Sequence, residues 1–193
     1  MAQARDEDVD VVAAVLAGHP ERYEELVERY QGRVVNYLYR LLHSLDDAHD
    51  LAQEVFLRVF RALDRYDSQY KFSTWLFRVA QNAAIDSVRK RRVHLVSMER
   101  PESESGDGGS FEFPSVDRGP YAKLRNLERG QAIGVAIDEL PGEYRELIQL
   151  RHFAELSYGE IAELKGMPLG TVKNKLFRGR QMLKEKLTGF LDD

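Results

Sequence analysis

Through the first hundred residues, apolar side chains recur at every third or fourth position, as they do in helices that bury one face. Between Glu21 and Arg100 the chain has no proline and a single glycine, Gly32, and both residue types weaken helix interiors. The recurring positions are Val27, Tyr30, Val34, Leu38, Leu41 and Leu45, then Ala52, Val55, Val59 and Leu63, then Leu76, Ala80, Ala84 and Val88. This spacing predicts three main helices, preceded by a shorter one near Asp10 to Ala17.

Helical spacing also marks the last third of the chain. Its apolar positions are Leu124, Leu127, Ile133 and Ile137, and then Tyr144, Leu147, Ile148 and Phe153. The two runs are separated at Leu140, Pro141 and Gly142, where Pro141 suits the first turn of a new helix. No segment shows sustained strand alternation or an internal repeat, so we predict an all-α fold.

The segment from Ser97 to Pro120 differs in composition from the helices on either side. Its 24 residues include five serines, four glycines and three prolines, with six acidic and two basic residues. Such a segment has too little apolar surface to offset the entropy of ordering it. We therefore expect two small helical domains, at residues 1–96 and 121–193, joined by a flexible acidic linker at 97–120.

The second domain contains the pattern of a helix-turn-helix. Ser157 and Glu160 have the spacing of a capping box, and Gly166 supplies a residue that tolerates positive φ at the helix end. The next helix opens at Pro168 to Thr171, and its inner apolar side consists of Val172, Leu176, Gly179, Leu183 and Leu187. Its outer side carries groups suited to phosphates, base edges and a thymine methyl, namely Lys173, Asn174, Phe177, Arg178, Arg180 and Gln181. The alternative is an ordinary helical hairpin with a basic face.

The 193-residue chain is acidic overall, with a formal net charge of −4, but its basic residues are concentrated. Lys71 to His94 and Leu169 to Lys186 each carry six basic residues against one acidic residue, whereas Met1 to Glu28 carries eight acidic and two basic residues. An acidic chain with two basic segments suits a protein that contacts a polyanion at chosen places. Solvated helix faces are the plainer interpretation of each segment alone.

Composition excludes several classes of protein. Hydrophobic residues make up 43% of the chain and charged residues 31%, close to average soluble usage, which excludes collagen-like and wholly disordered chains. The absence of cysteine excludes disulfides, a Cys-ligated zinc site and a catalytic thiol. No apolar run approaches the roughly 18 residues of a membrane-spanning helix, and residues 1–8 do not resemble a signal peptide. We expect a cytoplasmic protein without membrane insertion and without a cofactor.

An acid-rich helix start lies at Leu45 to Phe56, with Asp46 as the expected N-cap. A metal site made of Asp46, Asp47, His49 and Asp50 is disfavoured, because residues one apart on a helix point in different directions. Two interpretations stay open here. The acids form an exposed face that meets a basic protein partner, or they serve capping and solubility alone.

Aromatic and basic residues are combined between Tyr66 and Arg92. Tyr66, Tyr70, Phe72 and Trp75 precede or open a helix that ends in four consecutive basic residues. Aromatic side chains beside a positive groove suit unpaired bases, since stacking contributes about 1–3 kcal/mol per base. The competing interpretation places aromatic residues such as Trp75 in the core.

In combination and in this order, these segments resemble the extracytoplasmic-function group of bacterial sigma factors. The resemblance covers about Asp10 to Leu187. Within it, Leu45 to Leu63 resembles the polymerase-binding helix, Phe72 to Arg92 the minus-ten element, and Leu156 to Arg180 the minus-thirty-five helix-turn-helix. It implies a stress-response transcription factor that binds core RNA polymerase, recognises both promoter elements and promotes melting and initiation. The chemistry belongs to the polymerase, so the chain itself is not expected to be an enzyme.

The resemblance also implies roles for individual residues. Docking on a coiled coil of the polymerase is implied for Asp47, Asp50, Gln53, Glu54 and Phe56. Contact with minus-ten DNA, including a loop that holds a flipped base of the melted non-template strand, is implied for Tyr70, Lys71, Phe72, Trp75, Arg78, Asn82, Asp86, Arg89, Arg91 and Arg92. Reading of the minus-thirty-five duplex is implied for Thr171, Lys173, Asn174, Phe177, Arg178 and Arg180. An anti-sigma factor is a further expected partner.

Two other functions fit part of the pattern. A stand-alone helix-turn-helix regulator would bind duplex DNA without polymerase, but the segment Tyr70 to Trp75 and the acidic linker argue against it. A small helical hydrolase or nuclease lacks support, because the five histidines have no metal-ligand spacing and no nucleophile motif appears. The regulator is therefore the alternative that we retain.

Overall fold

A computed structural model describes residues 3–97 and 132–191 of the chain, with side chains described at 7–91 and 132–188. Its helices are α1 (Gln3–Leu16), α2 (Tyr23–Leu42), α3 (Leu45–Arg61), α4 (Phe72–Ser97), α5 (132–138), α6 (Gly142–His152), α7 (Tyr158–Lys165) and α8 (Leu169–Leu191). The regular structure in these ranges is all helical, which confirms the predicted fold class. None of the helices so described is long and apolar enough to cross a membrane. The predicted linker, apart from its first residue, lies outside the described residues.

Two local details differ from the sequence prediction. Helix α1 begins at Gln3, earlier than the predicted start near Asp10. The N-cap of α3 is Ser44, whose hydroxyl accepts the backbone N–H of Asp47 at 3.3 Å, so the assignment of Asp46 as the cap is wrong. Ser44 has the extended backbone of a cap residue, whereas Asp46 lies in the first turn, where its charge still favours the helix dipole.

The first four helices form a bundle around one apolar core. Helix α2 packs against α3 and α4, and α1 lies against α2 and α4. Leu38, Val55 and Leu76, one from each predicted apolar row, have no exposed surface. The hydroxyl of Tyr30 donates to the buried carboxylate of Asp8 at 2.5 Å and ties α1 to α2. The predicted rows are thus the inner sides of the main helices, except at Val88 near the end of α4, which is 40% exposed.

The last three helices have the local geometry predicted for the helix-turn-helix. Ser157 and Glu160 form a reciprocal capping box at the start of α7, and Gly166 ends α7 with a φ of 61°. Val172 and Leu176 are fully buried on the inner side of α8. Helix α6 packs against α7 and α8, and α7 packs against α8, so α8 rests on the other two helices.

The two groups of helices also pack against each other. Helix α4 contacts α7, and α2 contacts α6. Buried residues of both groups form one apolar cluster, which includes Leu38 and Phe77 from the first group and Leu156 and Ile161 from the second. This packing places the start of α4 beside the start of α7.

Candidate nucleic-acid interface

The outer side of α8 presents the residues that the sequence assigns to minus-thirty-five DNA. Thr171 is half-buried, and the exposed members of the set are Lys173, Asn174, Phe177, Arg178 and Arg180. Phe177 is 62% exposed although the adjacent Leu176 is fully buried. Since successive helix residues point about 100° apart, α8 is anchored on one side and presents amide, aromatic and cationic groups on the other.

Tyr158 at the start of α7 orients one of these cations. Its hydroxyl accepts a hydrogen bond from Nη2 of Arg180, whose guanidinium lies 5.8 Å from the centroid of the Tyr158 ring. The guanidinium of Arg151 lies 5.3 Å from the same centroid. Cations are attracted to the face of an aromatic ring. The sequence does not single out Tyr158, because a residue that follows the cap Ser157 reads as an ordinary first-turn position.

One side of α4 carries a row of polar and cationic residues. Arg78, Asn82 and Arg89 are exposed, and Asp86 continues the row and pairs with Arg89 at 3.2 Å. Those four positions are separated by four, four and three residues, so they share one face of the helix. The opposite face is buried in the bundle. Helix α4, like α8, therefore combines an anchored side with a basic side in contact with solvent.

The basic run near the end of α4 contacts the acidic start of α3. Arg91 pairs with Asp47, and the pKa of Asp47 is lowered by hydrogen bonds from Arg91 and Ser44. A residue expected to bind DNA and a residue expected to bind polymerase thus neutralise each other here. The side chain of Arg92 lies outside the described residues.

The loop before α4 is supported by an aromatic cluster. Phe72 is 1% exposed, and its ring centroid lies 5.6–5.9 Å from those of Tyr30, Tyr66 and Trp75. The Tyr66 hydroxyl donates to the carbonyl oxygen of Tyr70 at 2.7 Å, while Tyr70 itself is 51% exposed. Phe72 and the half-buried Trp75 therefore pack on the inner side of the loop, and Tyr70 is the ring that this loop presents to solvent.

Lys71 is the cation of this loop. Its ammonium nitrogen lies 3.6 Å from the carboxylate of Glu160 in α7. Burial raises the pKa of Glu160, but hydrogen bonds from Ser157 and Ser73 outweigh this effect and leave the pKa below its ordinary value. Glu160 is therefore charged at neutral pH and neutralises Lys71.

The acidic side of α3 is exposed except at one expected position. Asp50, Gln53 and Glu54 are exposed, whereas Phe56 is 7% exposed and packs into the bundle. No group of three or more acidic or histidine side chains in the described part of the chain is placed to hold a metal ion. The acids of α3 thus form an exposed acidic face on the surface of the bundle.

An apolar groove of about 720 Å³ lies between α2 and α3. Its lining includes Tyr23, Val27, Gln53, Phe56, Leu57 and Phe60. Leu57 is 55% exposed and Phe60 is 40% exposed, so both present apolar surface next to the polar residues of α3. The sequence analysis does not assign Leu57 to the docking set, although an apolar residue four positions after Gln53 on a polar face is a signal for it.

Two family models match the chain over these same helices. Residues 26–93 match the model described as Sigma-70 region 2, and residues 130–183 match the model described as Sigma-70, region 4. The ECF RNA polymerase sigma factor SigW of Bacillus subtilis is 34% identical over 178 residues, which are 91% of this chain and 94% of that protein. The ECF RNA polymerase sigma-E factor of Escherichia coli K12 is 33% identical over 183 residues, or 93% and 94% of the two chains.

Solved structures show the same fold. CnrH in complex with the cytosolic domain of CnrY matches with a TM-score of 0.66 at 22% identity, over 93% of this chain and 96% of that chain. The sigma factor RpoE in complex with the anti-sigma factor NepR from Bartonella quintana matches with a TM-score of 0.66 at 22% identity, over 86% and 96%.

The chain combines a helix-turn-helix, in which α8 has a basic outer side, with a second basic helix, α4, that follows an aromatic loop. This combination is typical of a DNA-binding transcription factor. The family matches and the full-length relatives make the class specific, and the chain belongs to the extracytoplasmic-function sigma factors of bacterial RNA polymerase. It binds core polymerase, recognises the minus-thirty-five and minus-ten promoter elements, and promotes initiation.

Proposed function

We propose that α8 reads the minus-thirty-five duplex with the face centred on Phe177. The observation that carries this is the contrast between Leu176, fully buried, and Phe177, 62% exposed beside Asn174 and Arg178. A large aromatic side chain left in water among cations and an amide is suited to a thymine methyl, while its neighbours suit base edges and phosphates. Lys173 and Arg180 flank this face.

We further propose that α4 and the loop before it hold the melted minus-ten strand. Tyr70 supplies an exposed ring for stacking, and Arg78, Asn82 and Arg89 supply a polar row for the backbone and base edges. Stacking of about 1–3 kcal/mol per base offsets the few kcal/mol needed to unstack a flipped base. Promoter opening then results from binding of the melted strand by α4 and the loop before it, and this chain makes or breaks no covalent bond.

The third surface is the polar side of α3 together with its apolar groove. Asp50, Gln53 and Glu54 supply polar contacts, and Leu57 and Phe60 supply exposed apolar area next to them. A charged face with an apolar centre is the arrangement that a stable protein interface needs. We assign docking on a basic helical segment of core polymerase to this surface.

These assignments define the role of the chain as a whole. It directs the polymerase to promoters and is not itself an enzyme, and it acts in the cytoplasm, where the polymerase works. Its domains lie at 1–96 and 121–193 and are joined by a linker at 97–120. The solved structure of RpoE contains the anti-sigma factor NepR. Because this chain shares that fold, we propose that it too has a partner of the anti-sigma class.

Transcription in vitro from a library of genomic fragments tests the proposal. Bacterial core polymerase with the chain, but not without it, should produce RNA 5′ ends that share two upstream sequence elements. Arg178→Ala should weaken promoters through the upstream element by about 1–3 kcal/mol if Arg178 reads a base. Lys184→Ala, on the same helix but outside the proposed face, is the matched control. No new starts, together with polymerase-independent duplex binding, would instead favour a stand-alone regulator.

A further inference from the structure

The contact between the two halves of the chain involves the loop that we assign to the melted strand. The hydroxyl of Ser73, at the start of α4, donates to Oε1 of Glu160 in α7. The other oxygen of Glu160 accepts the backbone N–H of Ser157 at 2.8 Å and lies 3.6 Å from Lys71. Ser73 is 3% exposed and Glu160 is 9% exposed. One carboxylate therefore caps α7 and holds the minus-ten loop.

Further contacts between the two halves lie along α2 and α4. The guanidinium of Arg33 donates two hydrogen bonds to the carbonyl oxygen of Ala154, at 2.9 and 2.6 Å. The side-chain amide of Gln81 donates to Glu146 of α6. The guanidinium of Arg40 lies 4.5 Å from the centroid of the Phe153 ring. The packing of the two halves is thus held by residues of α2, of α4 and of the loop before α4, which contact helices α6 and α7 and the segment between them.

We propose that the closed packing is a self-inhibitory latch, in which Glu160 withholds Lys71 and the start of α4 at Ser73 from single-stranded DNA until the two halves separate. This rests on the proposed role of the loop. A DNA phosphate and Glu160 cannot both neutralise Lys71, and a strand cannot reach Ser73 while Glu160 covers it. The outer side of α8 stays exposed in the same state, with Phe177 62% exposed. The closed chain therefore presents its duplex-reading face and the ring of Tyr70, and withholds Lys71 and Ser73.

The latch can be weakened without disturbing the caps of the helices. Ser73→Ala removes the hydrogen bond to Glu160 and leaves the bond between Glu160 and Ser157 in place, so α7 keeps its capping box. Gln81→Ala removes the hydrogen bond from the Gln81 side-chain amide to Glu146 of α6. Each net hydrogen bond shifts an equilibrium by about fivefold, so the double variant should favour the open state by roughly 25-fold.

The separation of the halves is measured on the full chain with spin labels. The chain has no cysteine, so Arg61→Cys and Lys184→Cys introduce the two label positions, both of which are exposed. Electron–electron distance measurements should give one narrow distribution for the parent chain. The double variant Ser73→Ala/Gln81→Ala should add a longer, broader population. The control Ser87→Ala/Gln31→Ala changes the same residue types outside these contacts and should match the parent.

Binding of a fluorescent pool of random 12-nucleotide single strands measures access to the loop. The double variant should bind the pool about five to 25 times more tightly than the parent and the control, with unchanged helix content by circular dichroism. A parent that is already broadly distributed in distance overturns the latch. So does a double variant that opens without any gain in strand binding. If Tyr70→Ala leaves promoter opening intact, the proposed role of the loop fails, whatever the distances show.

Discussion

The turn of the helix-turn-helix depends on one backbone conformation, at Gly166. Gly166 ends α7 with a φ of 61°, and its backbone N–H donates to the carbonyl oxygens of Ala162 and Glu163 at the helix end. A Cβ added at Gly166 would meet no atom within 4 Å. Gly166→Ala therefore tests backbone strain alone, because no steric clash accompanies it.

The magnitude follows from two opposing terms. The left-handed conformation costs an L-residue about 1–2 kcal/mol. Alanine also restricts the unfolded chain, which returns about 0.4–1 kcal/mol. Gly166→Ala should therefore lower the free energy of unfolding by roughly 0–1.6 kcal/mol, with a central value of about 0.8 kcal/mol. The matched control is Gly170→Ala, in the first turn of α8, where the added Cβ also meets open space and φ is not positive. That control should raise the stability by up to about 1 kcal/mol.

Urea unfolding followed by far-UV circular dichroism measures the difference. Gly166→Ala should move the midpoint to lower urea and Gly170→Ala should leave it unchanged or move it higher, with equal slopes in both cases. Gly166→Asn should recover part of the loss, because asparagine tolerates the left-handed region better than alanine. A midpoint for Gly166→Ala equal to that of Gly170→Ala would refute the argument that strain at this turn sets the stability of the motif.

Three further predictions concern α8 and the latch. Leu176→Ala should lower the free energy of unfolding by about 2–5 kcal/mol in the same urea assay, because Leu176 is fully buried. Phe177→Ala should leave the urea midpoint close to that of the parent but reduce transcription from promoters that need the minus-thirty-five element, measured with core polymerase. Burial raises the pKa of Glu160 and hydrogen bonds from Ser157 and Ser73 outweigh it, so the folded pKa lies below the ordinary 4.5. The stability that this carboxylate contributes is present above pH 4.5 and lost as the pH falls through the lowered folded value, so Glu160→Gln should flatten the decline in urea midpoint as the pH falls below 4.5.

Features set by residues close in sequence could be predicted without the structure. The capping box of Ser157 and Glu160 and the glycine at the end of α7 depend on spacings of three to six residues, and both are present as predicted. The cap of α3 was harder, because Ser44 and Asp46 are both good cap residues two positions apart. Only backbone geometry decides between them, and it selects Ser44.

At Phe56, an assignment made from a motif can be compared with one made from helical phase. Phe56 is expected at the polymerase surface by resemblance, yet it lies four residues after Ala52 and three before Val59 on the buried side of α3. The apolar period therefore already contained the signal that Phe56 faces the core. The same period places Leu57 outside the buried row, where it is 55% exposed. Phase therefore predicts Leu57, rather than Phe56, as the apolar residue of this face that is accessible to a partner.

The packing of the two halves could not be predicted from periodicity, because its polar contacts join residues far apart in sequence. Glu160 satisfies a local rule as the third residue of a helix whose cap is Ser157, so its sequence position already has an explanation. Ser73 has no such local partner, and its hydroxyl reaches a carboxylate 87 residues away. Ser73, a buried residue next to the loop proposed to hold a base, is therefore explained by the packing of the two halves and not by a local motif. Its removal leaves the capping box of α7 in place and removes one contact between the two halves.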